Sequence, residues 1–448
     1  MDLVTTHKSA RRELVSNLSK KMASVFPRSI MGLLRHIGRL ANRYGYSAFV
    51  VGGPVRDLIL GVRNLDLDIV IEGDAIAFGR RLSEELKVSL IVHRRFGTAT
   101  IIAKDKLKID LATARKEIYE APGALPTVEF SSLKNDLIRR DFTINAMAVS
   151  LNKESFGQLV DFFGGESDLF AGRIRVMHNG SFIDDPTRIF RAIRFEQRFG
   201  FAIDRHTEKL ILNAIEEDMF DHVEPQRIRD EIISILKEKE PIRALRRMAE
   251  LDEFKFLHPK IRLDQKMNKF YSAIDEACLW YESLTFKKRP IEKWLMYLMA
   301  NLEPLSYKET VDLCSKFVFK RGERLRILSY KKCARKAIGL LSVKKKIRPS
   351  RIYSILSPLS YEVILSLMAR SNSGLAGTRI KDFLERHNRV RIGIRGWTLK
   401  RLGLKPGPDF KKILGKVLYK KIDGALKTKS DELEYVKGLI RKRCMEIA

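Results

Sequence analysis

The sequence predicts an α+β protein, with a head that mixes strands and helices and a remainder that is helical. Up to about residue 165, strand-like and helix-like segments alternate. Within that part, a glycine pair joins an apolar strand to a helix. Beyond residue 165, apolar residues recur mostly at helical spacing. With 448 residues, of which 45% are hydrophobic, the chain is long enough for two or more domains with real cores.

The first elements surround the glycine pair. Apolar residues at helical spacing predict a helix over Met31–Tyr46, and Phe49–Val51 has the composition of a short buried strand. Gly52 and Gly53 then permit positive φ and close backbone approach, and Pro54 suits the first turn of a following helix. A strand, a glycine turn and a helix in this order are typical of a phosphate-binding turn.

The rest of the head continues the alternation. A helix is predicted at Ala75–Leu86, and strands are predicted at Val88–His93, Ala99–Ala103 and Lys108–Ala112. The stretch Glu117–Ser132 contains two prolines and a glycine without a sustained period. We therefore expect a long loop there, of a kind that is often functional.

Helical periodicity dominates from Asp185 to the end of the chain. It is interrupted near six prolines, at Pro225, Pro241, Pro259, Pro304, Pro349 and Pro406. The last 58 residues contain 16 Lys or Arg and 6 Asp or Glu, with aromatic residues interspersed. This composition predicts a basic helical tail.

The overall charge indicates a polyanionic partner. Against 55 acidic residues the chain has 85 basic ones, a formal net charge of +30, which is far more than solubility requires; a generally basic proteome is the alternative explanation. The four cysteines have neither zinc-site spacing nor a disulfide pattern, which fits a reducing cytosol. No apolar run is long enough to span a membrane, so we expect a soluble cytoplasmic protein with no membrane partner.

Two alternating carboxylates, Asp66 and Asp68, interrupt an apolar run that ends at Ile71. In a strand, residues at i and i+2 share a face, so both would approach the same cation. Paired carboxylates after a glycine turn suit Mg²⁺ ions that support in-line phosphoryl transfer. A solvated strand edge is the alternative. Asp110, in the next predicted strand, is a candidate third carboxylate or an ordinary edge residue.

A second polar block follows at residues 139–148. The adjacent arginines Arg139 and Arg140 precede Asp141 and Asn145, and together they could present charge and hydrogen bonds to phosphate and sugar. An N-capped amphipathic helix would explain Asp141 equally well.

A third block combines one carboxylate with three arginines. Asp185, Arg188, Arg191 and Arg194 recur every three residues, which places them along one slowly drifting helix face. Together, an Asp and an Arg can form hydrogen bonds with the edge of cytosine or adenine, because the carboxylate accepts from the amino group of the base. Uracil and guanine would place a carbonyl oxygen against the carboxylate, and two facing acceptors cost about 1–3 kcal/mol. The alternative for Asp185 and Arg188 is an intrahelical ion pair worth about 0.3–0.5 kcal/mol.

These blocks, in this order, resemble the class II tRNA nucleotidyltransferases, the family of CCA-, CC- and A-adding enzymes and bacterial poly(A) polymerases. GGPVRD with LDLD resembles the family's first motif, and RRDFTINAMA is similar to its second. VDFFGG resembles the family's hinge, DDPTRIFRAIRF its base-selecting helix and VEPQRIRDE its last helical motif, whose charges could also simply brace neighbouring helices. Asp184 and Gln226 each replace a more usual Glu.

The resemblance implies a polymerase-beta-like nucleotidyltransferase head followed by helical neck, body and tail domains. The expected boundaries are a basic N-terminal extension at 1–30, the head at 31–165, the neck at 166–258, the body at 259–390 and a tRNA-binding tail at 391–448. It also implies that Asp66 and Asp68 bind Mg²⁺, with Asp110 as a third catalytic candidate. The residues expected to bind nucleotide are Gly52, Gly53, Arg56, Arg140, Asp141, Asn145, Asp185, Arg188, Arg191 and Arg194.

The expected reaction is addition of C, A or both to the 3′ end of tRNA from CTP and ATP, without a nucleic-acid template. A poly(A) polymerase of the same family is one alternative, and a non-catalytic RNA-binding protein on the same scaffold is another. The sequence leaves open which nucleotides are added and whether the protein is a monomer or a dimer.

Overall fold

The computed structural model describes residues 17–94, 97–102, 107–118, 123, 127–251, 256–285, 289–371 and 374–445. The chain divides into two compact units, Met1–Glu253 and Phe254–Ala448.

A seven-stranded mixed sheet forms the centre of the first unit. Its strands are β1 (Ser47–Val51), β2 (Leu67–Glu72), β3 (Ser89–His93), β4 (Thr98–Ile102), β5 (Lys108–Thr113), β8 (Ala148–Ser150) and β9 (Leu159–Val160), with β6 (Arg115–Ile118) and β7 (Thr127–Phe130) outside this sheet. The strand order is β3-β4-β5-β2-β1-β8-β9, and β2 and β5 are parallel whereas the other neighbours are antiparallel. Because β2 and β5 are adjacent and in register, Asp68 lies directly beside Asp110.

The predicted loop at Glu117–Ser132 is wrong in part, because β6 and β7 pair there as an antiparallel hairpin. Lys116 and Glu129 lie opposite each other and form a salt bridge of 2.8 Å. Cross-strand pairs of opposite charge favour such a hairpin, and they are visible only once the register is known. The prolines that led to the loop prediction lie outside the described residues.

Helices flank the sheet and continue beyond it. They are α1 (Ser19–Val25), α2 (Arg28–Arg43), α3 (Gly53–Leu60), α4 (Ala75–Leu86), α5 (Leu133–Ile138), α6 (Gly165–Phe170), α7 (Ser181–Asp184), α8 (Arg188–Phe199), α9 (Arg205–Glu216), α10 (Pro225–Leu236) and α11 (Pro241–Glu250). Both α2 and α4 pack against the sheet, with Leu34, Ile37, Phe78 and Leu82 fully buried. After the head, the described part of the first unit is helical apart from a two-residue parallel pair, β10 (Arg173–Ile174) with β11 (Ala202–Ile203).

The segment before α2 packs onto the head. Leu18 and Met22 are buried, and the Leu18 backbone N–H donates to the Gly157 carbonyl at 2.7 Å. The Lys21 ammonium donates to the Ile59 carbonyl in α3 at 2.6 Å. Residues 17–26 therefore contribute apolar surface to the core of the first unit.

The described part of the second unit is helical. Its helices are α12 (Gln265–Ser283), α13 (Lys293–Asn301), α14 (Tyr307–Lys316), α15 (Arg321–Ser342), α16 (Pro349–Leu356), α17 (Tyr361–Arg370), α18 (Gly374–Glu385), α19 (Gly396–Arg401), α20 (Pro408–Ile422) and α21 (Lys429–Met445). The core centres on α13 and α17, where Leu295, Leu298, Ile364 and Leu367 are almost completely buried. No single described helix is long and apolar enough to cross a membrane. Only α16 and α17 taken together, which are bent by 114° relative to each other, reach that length and apolar composition among the described helices.

Candidate active site

The glycine turn connects β1 to α3 as the sequence predicts. Gly52 has a φ of 76°, and α3 starts at Gly53 with Pro54 in its first turn. A Cβ on Gly52 would lie 2.6 Å from Nη1 of Arg140, closer than any real Cβ contact. The positive φ therefore favours glycine at position 52, and a Cβ there would displace the Arg140 guanidinium from the turn.

Three carboxylates lie beside this turn. Asp68 is in β2, Asp66 immediately precedes the strand, and Asp110 lies beside Asp68 in β5, where the Thr100 hydroxyl donates to it at 2.6 Å. Desolvation raises the pKa of Asp68, the Asp110 and Asp66 carboxylates raise it further, and Arg140 offsets only part of the increase. Burial is thus the main reason that the charged form of Asp68 is disfavoured, and a cation beside it would counteract that effect.

A buried carboxylate that the sequence analysis did not single out holds the two adjacent arginines. Asp136 in α5 is fully buried, and its two oxygens pair with Arg139 at 2.6 Å and with Arg140 at 3.1 Å. Burial pushes the pKa of Asp136 up, but Arg140 and Arg139 outweigh this effect and hold the pKa below its ordinary value. Asp136 therefore fixes where Arg139 and Arg140 point.

A polar chain links the glycine turn to the helical segments. The Arg56 guanidinium donates to Asp57 at 2.7 Å and to the side-chain amide oxygen Oδ1 of Asn145 at 2.6 Å. The Asn145 amide donates to Asp141 at 2.9 Å, and Asp141 accepts two further bonds from Arg191, at 2.9 and 2.7 Å. The alternative of an N-capped helix here is wrong, because only a 3₁₀ turn over Thr143–Asn145 forms and no side chain caps it.

Two of the four arginines of α8, Arg191 and Arg194, lie against one aromatic ring. Arg191 and Arg194 lie 5.3 and 5.4 Å from the centre of the Phe195 ring, and Arg56 lies 5.3 Å from it. Arg191 and Arg194 also face Glu231 of α10, at 3.6 and 3.5 Å. Burial raises the pKa of Glu231, and the two arginines counteract that effect. Phe195 and Glu231 thus hold these two arginines together.

The Asp–Arg pair predicted to read the base is arranged differently from a simple ion pair. Asp185 precedes α8 and accepts from the Thr187 hydroxyl at 2.6 Å and from Arg227 at 2.7 Å. Arg188 is buried and donates to the Ser181 hydroxyl at 2.7 Å and to the Arg139 carbonyl at 2.9 Å. The alternative of an Asp185–Arg188 ion pair is therefore not formed, and each side chain is oriented by other groups.

These side chains converge on one cavity of about 420 Å³ in the first unit. Asp66, Asp110 and Gly52 lie next to the lining residues rather than among them, and Arg194 lies beside Phe195. The lining consists of Gly53, Arg56, Asp68, Glu117, Arg139, Arg140, Asp141, Asn145, Asp185, Arg188, Arg191 and Phe195.

Several residues of the site carry weak sequence signals. Asp136 lies four residues before Arg140, a helical spacing that favours ion pairs. Arg227 belongs to the block VEPQRIRDE, which the sequence alone could equally assign to bracing between helices. Glu117, which lines the cavity and pairs with Arg139 at 2.8 Å, carries no signal because its strand was predicted as loop.

The carboxylate cluster fits a divalent cation chemically. Among the described residues, no three His, Cys, Asp or Glu side chains are arranged as a complete metal site. Mg²⁺ does not require one, because it is usually held by one or two carboxylates together with substrate phosphates and water. Asp68 lines the cavity beside Asp110, and the buried carboxylate would be stabilised in its charged form by such a cation.

Two protein families match parts of the chain. Residues 48–175 match the "Poly A polymerase head domain", and residues 200–264 match the "Probable RNA and SrmB- binding site of polymerase A". The first match covers the sheet and the glycine turn, and the second includes α10 and α11.

Among curated proteins, the chain is similar to A-adding tRNA nucleotidyltransferases. It is 38% identical to that of Geobacter sulfurreducens over 94% of this chain, and 31% identical to that of Halalkalibacterium halodurans, also over 94%. The chain spans 48% of the length of the first and 95% of the second.

Among solved structures, the chain is similar to a Thermotoga maritima CCA-adding enzyme complexed with tRNA. The identity is 35% and the TM-score 0.75, over 96% of this chain and 100% of that one. A CCA-adding enzyme in complex with ATP gives 35% identity and a TM-score of 0.77 over the same shares.

Proposed function

The chain belongs to the class II tRNA nucleotidyltransferase family, and on this basis we propose that it adds nucleotides, adenosine at least, to the 3′ end of tRNA. The observation that carries the proposal is the convergence of two functions on one cavity. Asp68, which lies beside Asp110, and the base-reading candidates Asp185 and Arg188 all line it. A nucleoside triphosphate bound there would present phosphates to the first group and its base to the second.

Asp66 and Asp68 are the residues that would hold Mg²⁺, with Asp110 adjacent. The metal would supply charge neutralisation for the triphosphate and a lowered pKa for the attacking hydroxyl. The RNA 3′ hydroxyl attacks the α-phosphate, one P–O bond forms as another breaks, and pyrophosphate leaves. The Arg140 guanidinium pairs with Asp136 and lies against Gly52. From there it would bind a negatively charged phosphate of the nucleotide beside these carboxylates.

Base selection falls to Asp185 and Arg188. Each carboxylate oxygen can accept two bonds, so the Asp185 oxygen that faces Arg227 keeps capacity for an exocyclic amino group. Arg188 donates two of its N–H groups to the Ser181 hydroxyl and to the Arg139 carbonyl, and these bonds fix the plane of the guanidinium. Its remaining N–H groups are available to the base. Cytosine and adenine satisfy both side chains, whereas uracil and guanine place a carbonyl oxygen against the carboxylate.

The names of the curated relatives favour A addition, and the structural likeness to a CCA-adding enzyme favours the full CCA sequence as the second candidate. The carboxylates Asp66 and Asp68 argue against a non-catalytic RNA-binding protein. We further propose that the protein works in the cytoplasm, where tRNA is processed, and that its basic second unit contributes to tRNA binding by phosphate contacts.

The test uses three tRNAs, one lacking CCA, one ending in CC and one ending in CCA, each with CTP or ATP supplied separately. An A-adding enzyme extends only the CC-ended tRNA, by one A. A CCA-adding enzyme also extends the first tRNA with CTP, and a poly(A) polymerase extends all three with a ladder of A. No extension of any tRNA with Mg²⁺ present would refute the proposal.

A further inference from the structure

A second cavity, of about 490 Å³, lies wholly within the second unit. It is formed by the start of α12, the turn after α13, and parts of α15 and α17. Its volume is within the range of roughly 300–1,000 Å³ that is usual for small-ligand sites. The lining consists of Arg262, Asp264, Lys266, Met267, Lys269, Phe270, Glu303, Pro304, Arg335, Ala369 and Arg370.

The two acidic residues of this lining are already engaged. Asp264 caps α12 by accepting from the Met267 backbone N–H at 2.7 Å. Glu303 accepts from the Tyr330 hydroxyl and pairs with Arg370 at 2.7 Å. Glu303 is therefore neutralised by Arg370, and Asp264 leaves one negative charge beside the other four cations of the lining.

Four cations remain around the cavity. Within the part of the chain that the structure describes, the side chains of Arg262, Lys266, Lys269 and Arg335 form no hydrogen bond or ion pair, and all four are exposed. Next to them, burial lowers the pKa of Lys331, and the positive charges of Arg370 and Arg335 lower it further against the pull of Glu303. Like charges gathered around one concave surface repel each other, and a bound anion would relieve that repulsion.

The walls of the cavity are not only charged. Met267, Phe270, Pro304 and Ala369 give it an apolar side, and the half-buried Phe270 offers an aromatic ring. An apolar wall with an aromatic ring beneath a cationic rim is complementary to a nucleotide, whose base stacks while its phosphates meet the cations. An inorganic anion would leave the apolar wall unused.

We propose that this cavity binds one nucleotide of the RNA substrate, with the base against Phe270 and the flanking phosphates on Lys266, Lys269 and Arg335. The proposal rests on the proposed function, which makes RNA the partner. RNA is favoured over a free nucleotide because a chain carries phosphates on both sides of an inserted base. Lys266 and Lys269 lie on α12 and Arg335 lies on α15, so cations from two separate helices are available for the phosphates on the two sides of the base.

The test measures binding of tRNA to the full-length protein by fluorescence anisotropy over a series of salt concentrations. Lys266→Gln with Lys269→Gln should weaken tRNA binding about fivefold for each phosphate that the protein no longer neutralises, and should reduce the slope of log K against log salt by roughly 0.7–0.9 per phosphate. Phe270→Leu, which keeps an apolar side chain, should weaken binding about fivefold or more with no change in that slope. Thermal unfolding shows whether each variant remains folded.

The matched control is Lys344→Gln with Lys345→Gln, because these are two exposed lysines of the same unit outside the cavity lining. If the control weakens binding as much as the cavity variant, general electrostatic attraction accounts for the effect and the cavity has no special role. If Phe270→Leu binds tRNA as tightly as the unmodified protein does, the stacked base is refuted.

A second arm measures binding of AMP and ATP to the same variants. Loss of mononucleotide binding with unchanged tRNA affinity would make the cavity a free-nucleotide site and overturn the RNA assignment. These failures are distinct from failure of the proposed function. An unmodified protein that binds no tRNA contradicts the function, whereas tight binding unaffected by the cavity variants contradicts only the cavity proposal.

Discussion

Replacement of Arg227 by Ala should weaken the choice of base while leaving nucleotide transfer possible. Arg227 donates to Asp185 at 2.7 Å, and its other terminal nitrogen donates to the Gly123 carbonyl at 3.2 Å. The two side chains of the pair are 26% and 19% exposed. Without Arg227, Asp185 keeps only its bonds with Thr187 and can rotate away from the position in which it would read the base.

The magnitude follows from that geometry. A hydrogen bond to a charged group contributes about 1.5–3 kcal/mol, and partial exposure of both side chains reduces this to about 1–2 kcal/mol. Since 1.4 kcal/mol corresponds to a factor of ten, the preference for CTP or ATP over UTP and GTP should fall about 5- to 30-fold. Arg227→Lys keeps the charge but has one nitrogen in place of the two that contact Asp185 and the Gly123 carbonyl, so its preference should be intermediate.

The assay compares kcat/KM for the four nucleoside triphosphates on the tRNA that the unmodified enzyme extends. Asp185→Ala removes the carboxylate itself and therefore shows the largest loss of selectivity that can be expected from Arg227→Ala. Arg243→Ala is the matched control, because Arg243 forms an exposed 2.9 Å pair with Glu240 on α11 and does not line the cavity. If Arg227→Ala keeps the selectivity of the unmodified enzyme while Asp185→Ala loses it, Arg227 does not position Asp185 and the reasoning fails.

Three further predictions concern the glycine turn, the carboxylates and the buried acid. Gly52→Ala should lower kcat at least tenfold with the fold retained by circular dichroism, since its Cβ would meet Arg140 at 2.6 Å and its φ is 76°; full activity would contradict the close approach. Asp66→Ala with Asp68→Ala should abolish extension in Mg²⁺ while tRNA binding persists, and retained activity would exclude them as metal ligands. Asp136→Asn should lower the free energy of unfolding at neutral pH by about 3 kcal/mol. Because the folded-state pKa of Asp136 is lowered, its contribution is present above the unfolded pKa of about 3.9 and is lost as the pH falls through the folded pKa. Denaturant unfolding of the two proteins should therefore converge in acid, and a difference that is independent of pH would contradict the ion-pair explanation.

Local features of the head could be predicted well from the sequence. The helix at Ala75–Leu86 has the predicted bounds, and the strand predicted at Lys108–Ala112 differs from β5 by one residue. Apolar periodicity is a property of neighbouring residues, so these elements do not depend on the rest of the fold. The β6–β7 hairpin was missed because its stabilising pairs, such as Lys116 with Glu129, join residues that periodicity does not connect.

In the candidate site, too, some features follow from the local sequence and others only from the tertiary structure. The sequence by itself determined which residue types are present and in what local order: a glycine turn, alternating carboxylates, and an Asp followed by regularly spaced arginines. These depend on backbone sterics and on spacing along one element. Only the tertiary structure decided that Asp185 pairs with Arg227 rather than Arg188, and that Asp136 holds Arg140. With 85 basic residues available, many cations could in principle pair with any one carboxylate, and the fold selects the partner by bringing one of them within about 3 Å.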